Sequence, residues 1–446
     1  MRVGRTFWGF IGVIAIGFIG RLLTGSDSFL RLIYFSIGIL FVGFLWASIS
    51  IRGVTLTRSA RDLRQQFGQV FEERFEITNH TRLIRPWVEI IDQSDLAVKA
   101  GSRVISWLGK REQRSYSTYA SLSARGSFNL GPTTIKSGDP FGIFTNSKKI
   151  KANQTLLVLP YFIDLDRFVK PAGLMPGGKA QQLKTTEVTP HAAGVREYSP
   201  GDALNRIHWA SSAKKQKLMV KEFDRDPQSD IWLFLDAHRN AHIKQAYSPP
   251  EQLTDQLFFL RKPHQIELPP DTFEYSVSIA ASISRYYIRA GQAVGLNANN
   301  KYLIAIEPER GERQLGKILE ALAYLQPDGV RDVNSHIEAY KRHIPRGSSV
   351  VIITSCVDDN LVSVVSSLAL RDMYSIVVLV DQNDFGGTVK TENALALRQA
   401  SNTSLVVVGR THDLKSSIQD GFRFIPKNFT MNGAGQLSSA FWKPIN

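Results

Sequence analysis

Histidine and carboxylate are the residue types readiest for chemistry near neutral pH, and the middle of this chain gathers several of them. His191, His208, His238 and His242 follow one another there, with Asp236 close to the last two. Asp236 with His238 or His242 could hold a borderline metal, but such a site needs a third protein ligand, and none stands at a suitable spacing. A serine nucleophile would need a Gly-x-Ser-x-Gly elbow and a zinc hydrolase a His-Glu-x-x-His helix; the chain has neither. Gly173, Gly178 and Lys179 satisfy the spacing of a phosphate loop. Ala180 stands where that loop needs a Ser or Thr for magnesium, and Pro176 removes one amide donor, so the stretch reads as a Pro/Gly-rich linker. The expectation is a chain with no catalytic residues, no cofactor and no metal.

Function would then rest on surfaces, and surfaces are set by the elements that carry them. At 446 residues the chain is too long for one core, so two or three domains are expected. A hydrophobic share of 43% and a mean hydropathy of -0.13 exclude both general disorder and a many-span transporter. Cys356 is the only cysteine, which rules out an internal disulfide and suits a reducing compartment. The net charge of +14 is spread along the chain. Without a nucleic-acid module, an anionic cytoplasmic membrane face accounts for it better than nucleic acid does.

Two runs at the start are built for a bilayer. Thr6 to Gly20 and Leu32 to Ile51 carry no charge, and Thr24-Gly-Ser-Asp-Ser28 makes a polar turn near their junction. Trp8 and Trp46 sit near the ends of the runs, where interfacial aromatics belong. A cleavable signal peptide would need a small-x-small site and no second span. Arg2 and Arg5 precede the first run, and Arg52, Arg58, Arg61 and Arg64 follow the second, so both outer ends are expected in the cytoplasm. The anchor therefore spans residues 1–53 as a transmembrane helical hairpin.

Residues 54–165 alternate polar with apolar in short runs such as Val70 to Ile77, punctuated at Gly101, Gly126, Gly131-Pro132 and Gly138-Asp139, which predicts a β-sandwich-like domain. Residues 166–229 hold the linker and a distinctive segment. From residue 230 to 446, buried-type strands (Ile231–Leu235, Ala293–Leu296, Ser349–Ile353, Ile376–Val380, Leu405–Val408) alternate with helical runs, which predicts a doubly wound, mostly parallel α/β domain. Residues 240–270 read as an insertion at the carboxyl edge of the first strand.

The distinctive segment runs Gly194-Val-Arg196-Glu-Tyr198-Ser-Pro200-Gly201-Asp202, then Arg206-Ile-His-Trp209, Lys214 and Leu218-Met-Val-Lys221. A second piece runs Ala124-Arg-Gly-Ser-Phe-Asn-Leu-Gly131 and Ser137-Gly-Asp-Pro-Phe-Gly-Ile-Phe144. Both resemble the bacterial "domain of unknown function fifty-eight" family, over nearly the whole chain. The resemblance implies two N-terminal spans, a β-rich region and a von Willebrand factor A-like α/β domain. It also implies association with MoxR-type AAA+ ATPases. Such a domain normally holds a metal with Asp-x-Ser-x-Ser, a Thr and a later Asp. Here Asp236 remains, His238 and Asn240 replace the serines, and Thr354-Ser-Cys-Val-Asp358 lacks an early Asp, so the site is expected to be degenerate and empty of metal.

Within the segment, Pro200-Gly201-Asp202 reads as a turn into a helix capped by Asp202, with Arg206 and Trp209 on one helical face. It is either a splint between domains, with Trp209 buried, or a recognition surface built from Arg196, Tyr198, Arg206, Trp209 and Lys214. The leading functional expectation is a non-enzymatic, multi-pass protein of the bacterial inner (cell) membrane whose soluble part is a cytoplasmic scaffold or adaptor. Its partners would be the lipid bilayer and a protein such as a MoxR-type AAA+ ATPase, with no nucleic acid. A membrane-bound enzyme of envelope or polysaccharide metabolism and a metal-dependent protein-binding module are the alternatives.

Overall fold

The computed structural model describes residues 1–97, 99–152, 154–170, 192–199, 207–223, 230–247, 267–387, 391–410 and 413–420. The phosphate-loop-like stretch, His191, Pro200, Gly201, Asp202, Arg206 and most of the 240–270 insertion lie outside them. The chain divides into two compact units, one ending at Pro160 and one beginning at Tyr161.

The first unit begins with β1 (Arg2–Val3), α1 (Arg5–Thr24) and α2 (Asp27–Ile49). Both helices, of 20 and 23 residues, are long and apolar enough to cross a membrane. They turn back on each other at Gly25, and Ser26 accepts the Ser28 amide as the cap of α2. Gly17 and Gly20 let them close: a Cβ at Gly20 would stand 2.5 Å from the Phe29 ring and one at Gly17 2.9 Å from Ile33.

Ten strands follow: β2 (Val54–Ala60), β3 (Arg64–Gln66), β4 (Val70–Asn79), β5 (Arg85–Asp92), β6 (Arg103–Leu108), β7 (Gln113–Ser121), β8 (Gly126–Asn129), β9 (Thr133–Gly138), β10 (Phe144–Ile150) and β11 (Thr155–Leu159). They form a sheet ordered β1-β10-β9-β5-β6, a sheet β2-β4-β7 and a small sheet β3-β11-β8. Period-two alternation aims Val54, Leu56, Phe75 and Ile77 of one large sheet at Val88, Ile90, Ile105, Leu108 and Ile135 of the other, and this layer is the core of a sandwich. The expected β-rich fold is present. The helices join the same unit, with Ala47 of α2 packed on Ile143 and Phe144.

The second unit contains β12 (Ala192–Glu197), α3 (Trp209–Lys215), β13 (Met219–Phe223), β14 (Ile231–Leu235), α4 (Thr272–Arg289), β15 (Val294–Asn299), β16 (Leu303–Glu309), α5 (Glu312–Tyr324), α6 (Val333–Tyr340), β17 (Ser349–Thr354), α7 (Asp359–Ala369), β18 (Tyr374–Val380), α8 (Thr391–Gln399), β19 (Thr403–Val408) and α9 (Leu414–Asp420). Its main sheet is ordered β16-β15-β14-β17-β18-β19, with every pair parallel except β15–β16. β14 and β17 are buried at every position, as strands covered by helices on both faces must be. The α/β region is as expected, with three additions that the sequence pattern did not mark: the antiparallel edge strand β16 and the short helices α6 and α9.

Residues 161–170 pack on α4 of this second unit. Asp164 accepts from Arg285 at 2.6 Å and Arg289 at 2.8 Å, and the Tyr287 hydroxyl donates to the Val169 carbonyl at 2.6 Å. Three of the four buried serines of α4, Ser276, Ser282 and Ser284, each donate to the carbonyl four residues back.

Candidate functional site

The distinctive segment is a small β-α-β element. β12 pairs antiparallel with β13, placing Arg196 opposite Val220 and Val195 opposite Lys221. Beyond the ladder, the Tyr198 amide donates to the Leu218 carbonyl at 2.8 Å. On the other edge of β13, Ile207 bridges Val220 and the His208 amide donates to the Met219 carbonyl at 2.8 Å. Ile207, Met219 and Val220 are buried and make the core of the element.

This pairing changes where the helix begins. Ile207 is extended, so α3 starts at Trp209 and the residue before it, His208, is the cap. His208 Nδ1 accepts the Ser211 amide at 3.2 Å and faces the Ser211 hydroxyl at 2.8 Å. α3 thus begins after the extended residue Ile207, while the cap expected at Asp202 and the helical face expected to join Arg206 to Trp209 rest on residues outside the described ones. Ser212 ties helix to strand, since its hydroxyl donates to the His208 carbonyl at 3.0 Å and accepts the Met219 amide at 2.8 Å.

Among the expected site residues, Tyr198 is half-buried and Lys214 exposed. Trp209 is 69% exposed. Lys214 and Lys215 occupy the last turn of α3, where cations complement the carbonyl end of a helix. Leu218 is also exposed. The element therefore presents an aromatic face, an aliphatic side chain and two cations to its surroundings.

A second place of interest lies at the carboxyl ends of β14 and β17, the strands flanking the change of winding direction, where open α/β sheets form their crevice. Asp236 follows β14 and is buried. Its Oδ2 accepts the Thr354 hydroxyl at 2.7 Å and its Oδ1 accepts the His238 amide at 3.0 Å. Its carbonyl faces His242 Nε2 at 2.9 Å, and His242 Nδ1 lies 3.2 Å from the Ser355 hydroxyl. Burial pushes the His242 pKa below its ordinary value, against the pull of the Asp236 charge. The ring is therefore neutral at pH 7, with Nε2 the donor to the carbonyl and Nδ1 an acceptor.

The surrounding backbone is drawn close. His238 bridges Gly329, whose amide donates to the Ala237 carbonyl at 2.9 Å. A Cβ at residue 329 would stand 2.2 Å from the Asn299 carbonyl oxygen, so only glycine fits there. Asn240 is exposed. Asp358, on the loop after β17, caps α7 by accepting the Leu361 amide at 2.9 Å and also accepts from Asn334 at 2.9 Å. Among the described residues no group of three or more His, Cys, Asp or Glu side chains is arranged to hold a metal. Asp236, with both oxygens engaged by protein donors, works as a tie between two strand ends. Thr354, Ser355 and His242 complete that tie. The sequence signal for it was the polar Thr354-Ser355 pair directly after an apolar strand.

A third cluster sits inside the sandwich. The Arg58 fork donates to both oxygens of Glu73, at 2.5 and 2.6 Å, and to Asp92 at 2.9 Å. The three side chains are 8%, 4% and 1% exposed. Arg58 also lies over the Phe75 ring at 5.0 Å, and Phe75 stacks on Tyr116 at 5.2 Å. Burial raises the Glu73 pKa above the usual carboxylate value, and the Arg58 charge opposes that rise.

Comparison with known proteins gives partial matches. The family model described as "Protein of unknown function DUF58" matches residues 194–248. The uncharacterized protein YeaD of Bacillus subtilis (strain 168) is 21% identical over 276 residues, 61% of this chain and 61% of its own. The chain thus spans about three fifths of that relative's length. Among solved structures, the CARDB domain of a Pyrococcus furiosus protein, in complex with di-metal ions, covers 24% of this chain and 87% of its own, at 11% identity and a TM-score of 0.18. A Paenibacillus sp. cycloisomaltooligosaccharide glucanotransferase covers 79% and 52%, at 8% identity and a TM-score of 0.14. Similarity at these TM-scores bears on neither fold nor function. The match at residues 194–248 takes in most of β12 together with α3, β13 and β14, so this chain carries a DUF58-like domain.

Proposed function

We propose that this chain is a membrane-tethered, cytoplasmic scaffold that docks a protein partner through the β12-α3-β13 element. The observation that carries the reading is the exposure of Trp209, Lys214 and Lys215 on one short helix of an element whose own core is already filled by Ile207, Met219 and Val220. Exposed Trp is the residue type that most often dominates binding energy at interfaces. A cytoplasmic position is supported by the arginines flanking both helices and by both outer ends of the hairpin meeting one sandwich. β1 pairs with β10 there, and α2 runs directly into β2.

The α/β unit fits a von Willebrand factor A-like domain. Numbered within its six-stranded sheet, the strand order is 3-2-1-4-5-6 with the third strand antiparallel. A domain of that kind with its carboxylate committed to Thr354 suits binding that does not run through a metal. The partner in this reading is a MoxR-type AAA+ ATPase.

The test is recovery of the full-length chain from native membranes in mild detergent, followed by identification of what comes with it. An AAA+ ATPase should accompany the unaltered chain and be lost from Trp209→Ala and Lys214→Glu. Hydrogen exchange of β13 and β14 should stay unchanged in both variants. Undiminished recovery of the ATPase with both variants, or its absence from the unaltered chain, refutes the proposal.

A further inference from the structure

The strand register gives the sandwich two ends, and one of them is unlike the other. Val54, the first residue after the α2 junction, pairs with Asn79, and Thr78 pairs with Gln113. In the facing sheet Arg85 pairs with Leu108, Val88 with Ser137, and Gly138 with Thr145, which also pairs with Arg2. Loops 80–84, 109–112 and 139–143 therefore share the end from which both apolar helices leave. Hydrogen bonds fasten the first of these loops to the helix junction and the second to the first. The His80 amide donates to the Gly53 carbonyl at 2.8 Å, Arg85 donates to the Arg52 carbonyl at 2.9 Å, and the Arg111 amide donates to the Thr81 carbonyl at 3.0 Å.

This end carries apolar side chains that nothing in the unit covers. Leu83 and Ile84 are 47% and 40% exposed, and Trp107 and Phe141 are each 67% exposed. Among the described residues, Val104 is the one other large apolar side chain exposed between residues 50 and 160. Trp107 has a φ of 53°, a left-handed conformation rare for a bulky residue; its carbonyl accepts from Arg114 at 2.9 Å. Between α2 and the 139–143 loop lies an apolar cleft of about 400 Å³ lined by Gly38, Val42, Trp46, Pro140 and Phe141.

The charge at this end has one sign to offer. Arg52, Arg82, Lys110 and Arg111 are exposed. The two carboxylates on the same loops are already engaged. Asp139 is fully buried and accepts the Ile143 and Phe144 amides, the latter at 3.1 Å, and Glu112 accepts from Arg114 at 2.6 Å.

We propose that this end of the sandwich is a lipid-binding foot. Leu83, Ile84, Trp107 and Phe141 enter the headgroup and upper acyl region of the bilayer that α1 and α2 cross, and Arg82, Lys110 and Arg111 meet anionic phospholipid headgroups. The inference rests on reading α1 and α2 as membrane spans. Apolar tips ringed by cations, held level with the end of a span, are the arrangement that partitions into an interface with anionic preference. Large apolar side chains gathered at one end of a domain and left exposed mark interaction or membrane sites.

The test places one spin label at a time on the full-length chain with Cys356→Ser, reconstituted in nanodiscs of phosphatidylcholine with or without phosphatidylglycerol. Labels at Leu83→Cys, Trp107→Cys and Phe141→Cys should be reached by oxygen and shielded from an aqueous nickel chelate, at a depth of about 5–10 Å. A label at Lys99→Cys, on the loop at the opposite end, should stay open to the chelate. Omitting phosphatidylglycerol, or combining Arg82→Glu with Lys110→Glu, should shift the three foot labels towards water. A label at Phe41→Cys, within α2, separates the two possible failures. If it lies in lipid while the foot labels are as wet as Lys99→Cys, the foot is refuted and the spans stand. If it too is wet, the span reading fails and the foot with it. Foot labels whose depth ignores both lipid charge and the reversed side chains refute the anionic preference.

Discussion

Replacing Arg58 by alanine removes the cation that holds two buried carboxylates, Glu73 and Asp92, at the centre of the sandwich. Three charge-assisted hydrogen bonds disappear with it, at 2.5, 2.6 and 2.9 Å. Asp92 keeps the Ser94 amide at 3.1 Å and hydroxyl at 3.0 Å. Glu73, in the interior and already raised in pKa by desolvation, is left with its charge uncompensated. Breaking a buried pair from one side costs about 3–5 kcal/mol. Much of that is the penalty on the stranded carboxylate, so the cost must depend on pH. Without Arg58 the Glu73 pKa climbs further, and protonation relieves the penalty as the solution is acidified.

The assay is hydrogen exchange of the full-length chain in detergent micelles, read on peptides from β2 and β4 in the regime where exchange follows the opening equilibrium. A cost of about 3–5 kcal/mol is roughly two to three and a half orders of magnitude in exchange rate. That acceleration is expected at pH 8 and should shrink at pH 5. Arg58→Met combined with Glu73→Leu should recover protection, because an apolar pair of similar volume leaves one fewer charge stranded. An acceleration under about tenfold at pH 8, which is less than about 1.4 kcal/mol, refutes the reasoning. So does a double variant no better than the single one.

Asp236→Ala should destabilise the α/β unit by about 1–3 kcal/mol by orphaning the Thr354 hydroxyl and the His238 amide, read as faster exchange in β14 and β17. Calorimetry of the full-length chain should show no saturable magnesium binding at millimolar concentration, and an isotherm lost on Asp236→Ala would overturn the assignment of that carboxylate as a tie. His242 and His336 both have pKa values held below 6.5 chiefly by burial, so the unfolded chain binds their protons first. Their contribution to stability is therefore present above about pH 6.5 and is lost as pH falls from there through the folded-state values. A thermal midpoint that does not fall across that window, or that falls equally in His242→Asn, counts against this. Cys356 is exposed, so a membrane-impermeant maleimide should spare it in intact cells and label it after lysis; labelling in sealed cells would place the α/β unit on the wrong side.

What the sequence shows and what it hides follow from how local the cause is. The two apolar runs and the fully buried strands β14, β17 and β18 are written in consecutive residues, so their types could be read directly. β16 was hidden because as an edge strand it alternates exposed with half-buried positions and carries Pro308, which suits an edge that lacks a partner. The cap of α3 was hidden for a different reason. Histidine is outside the usual capping set, whereas Pro200-Gly201-Asp202 looks like a better start, and only the Ile207–Val220 bridge reveals where extension ends.

The buried Arg58 cluster was legible by parity and is the more instructive case. In β2 the inward positions are Val54 and Leu56, so the next inward residue two places on is Arg58. In β4 they are Phe71, Phe75 and Ile77, and the position they skip is Glu73. A cation and an anion at inward parity on adjacent antiparallel strands announce a buried pair, because neither could stay charged there alone. In β12, α3 and β13 the pairing has the opposite consequence for Trp209. Ile207, Met219 and Val220 take the inward places, the helix begins after the first of them, and the indole is left outside. Exposure of that ring is thus a consequence of the strand pairing around it.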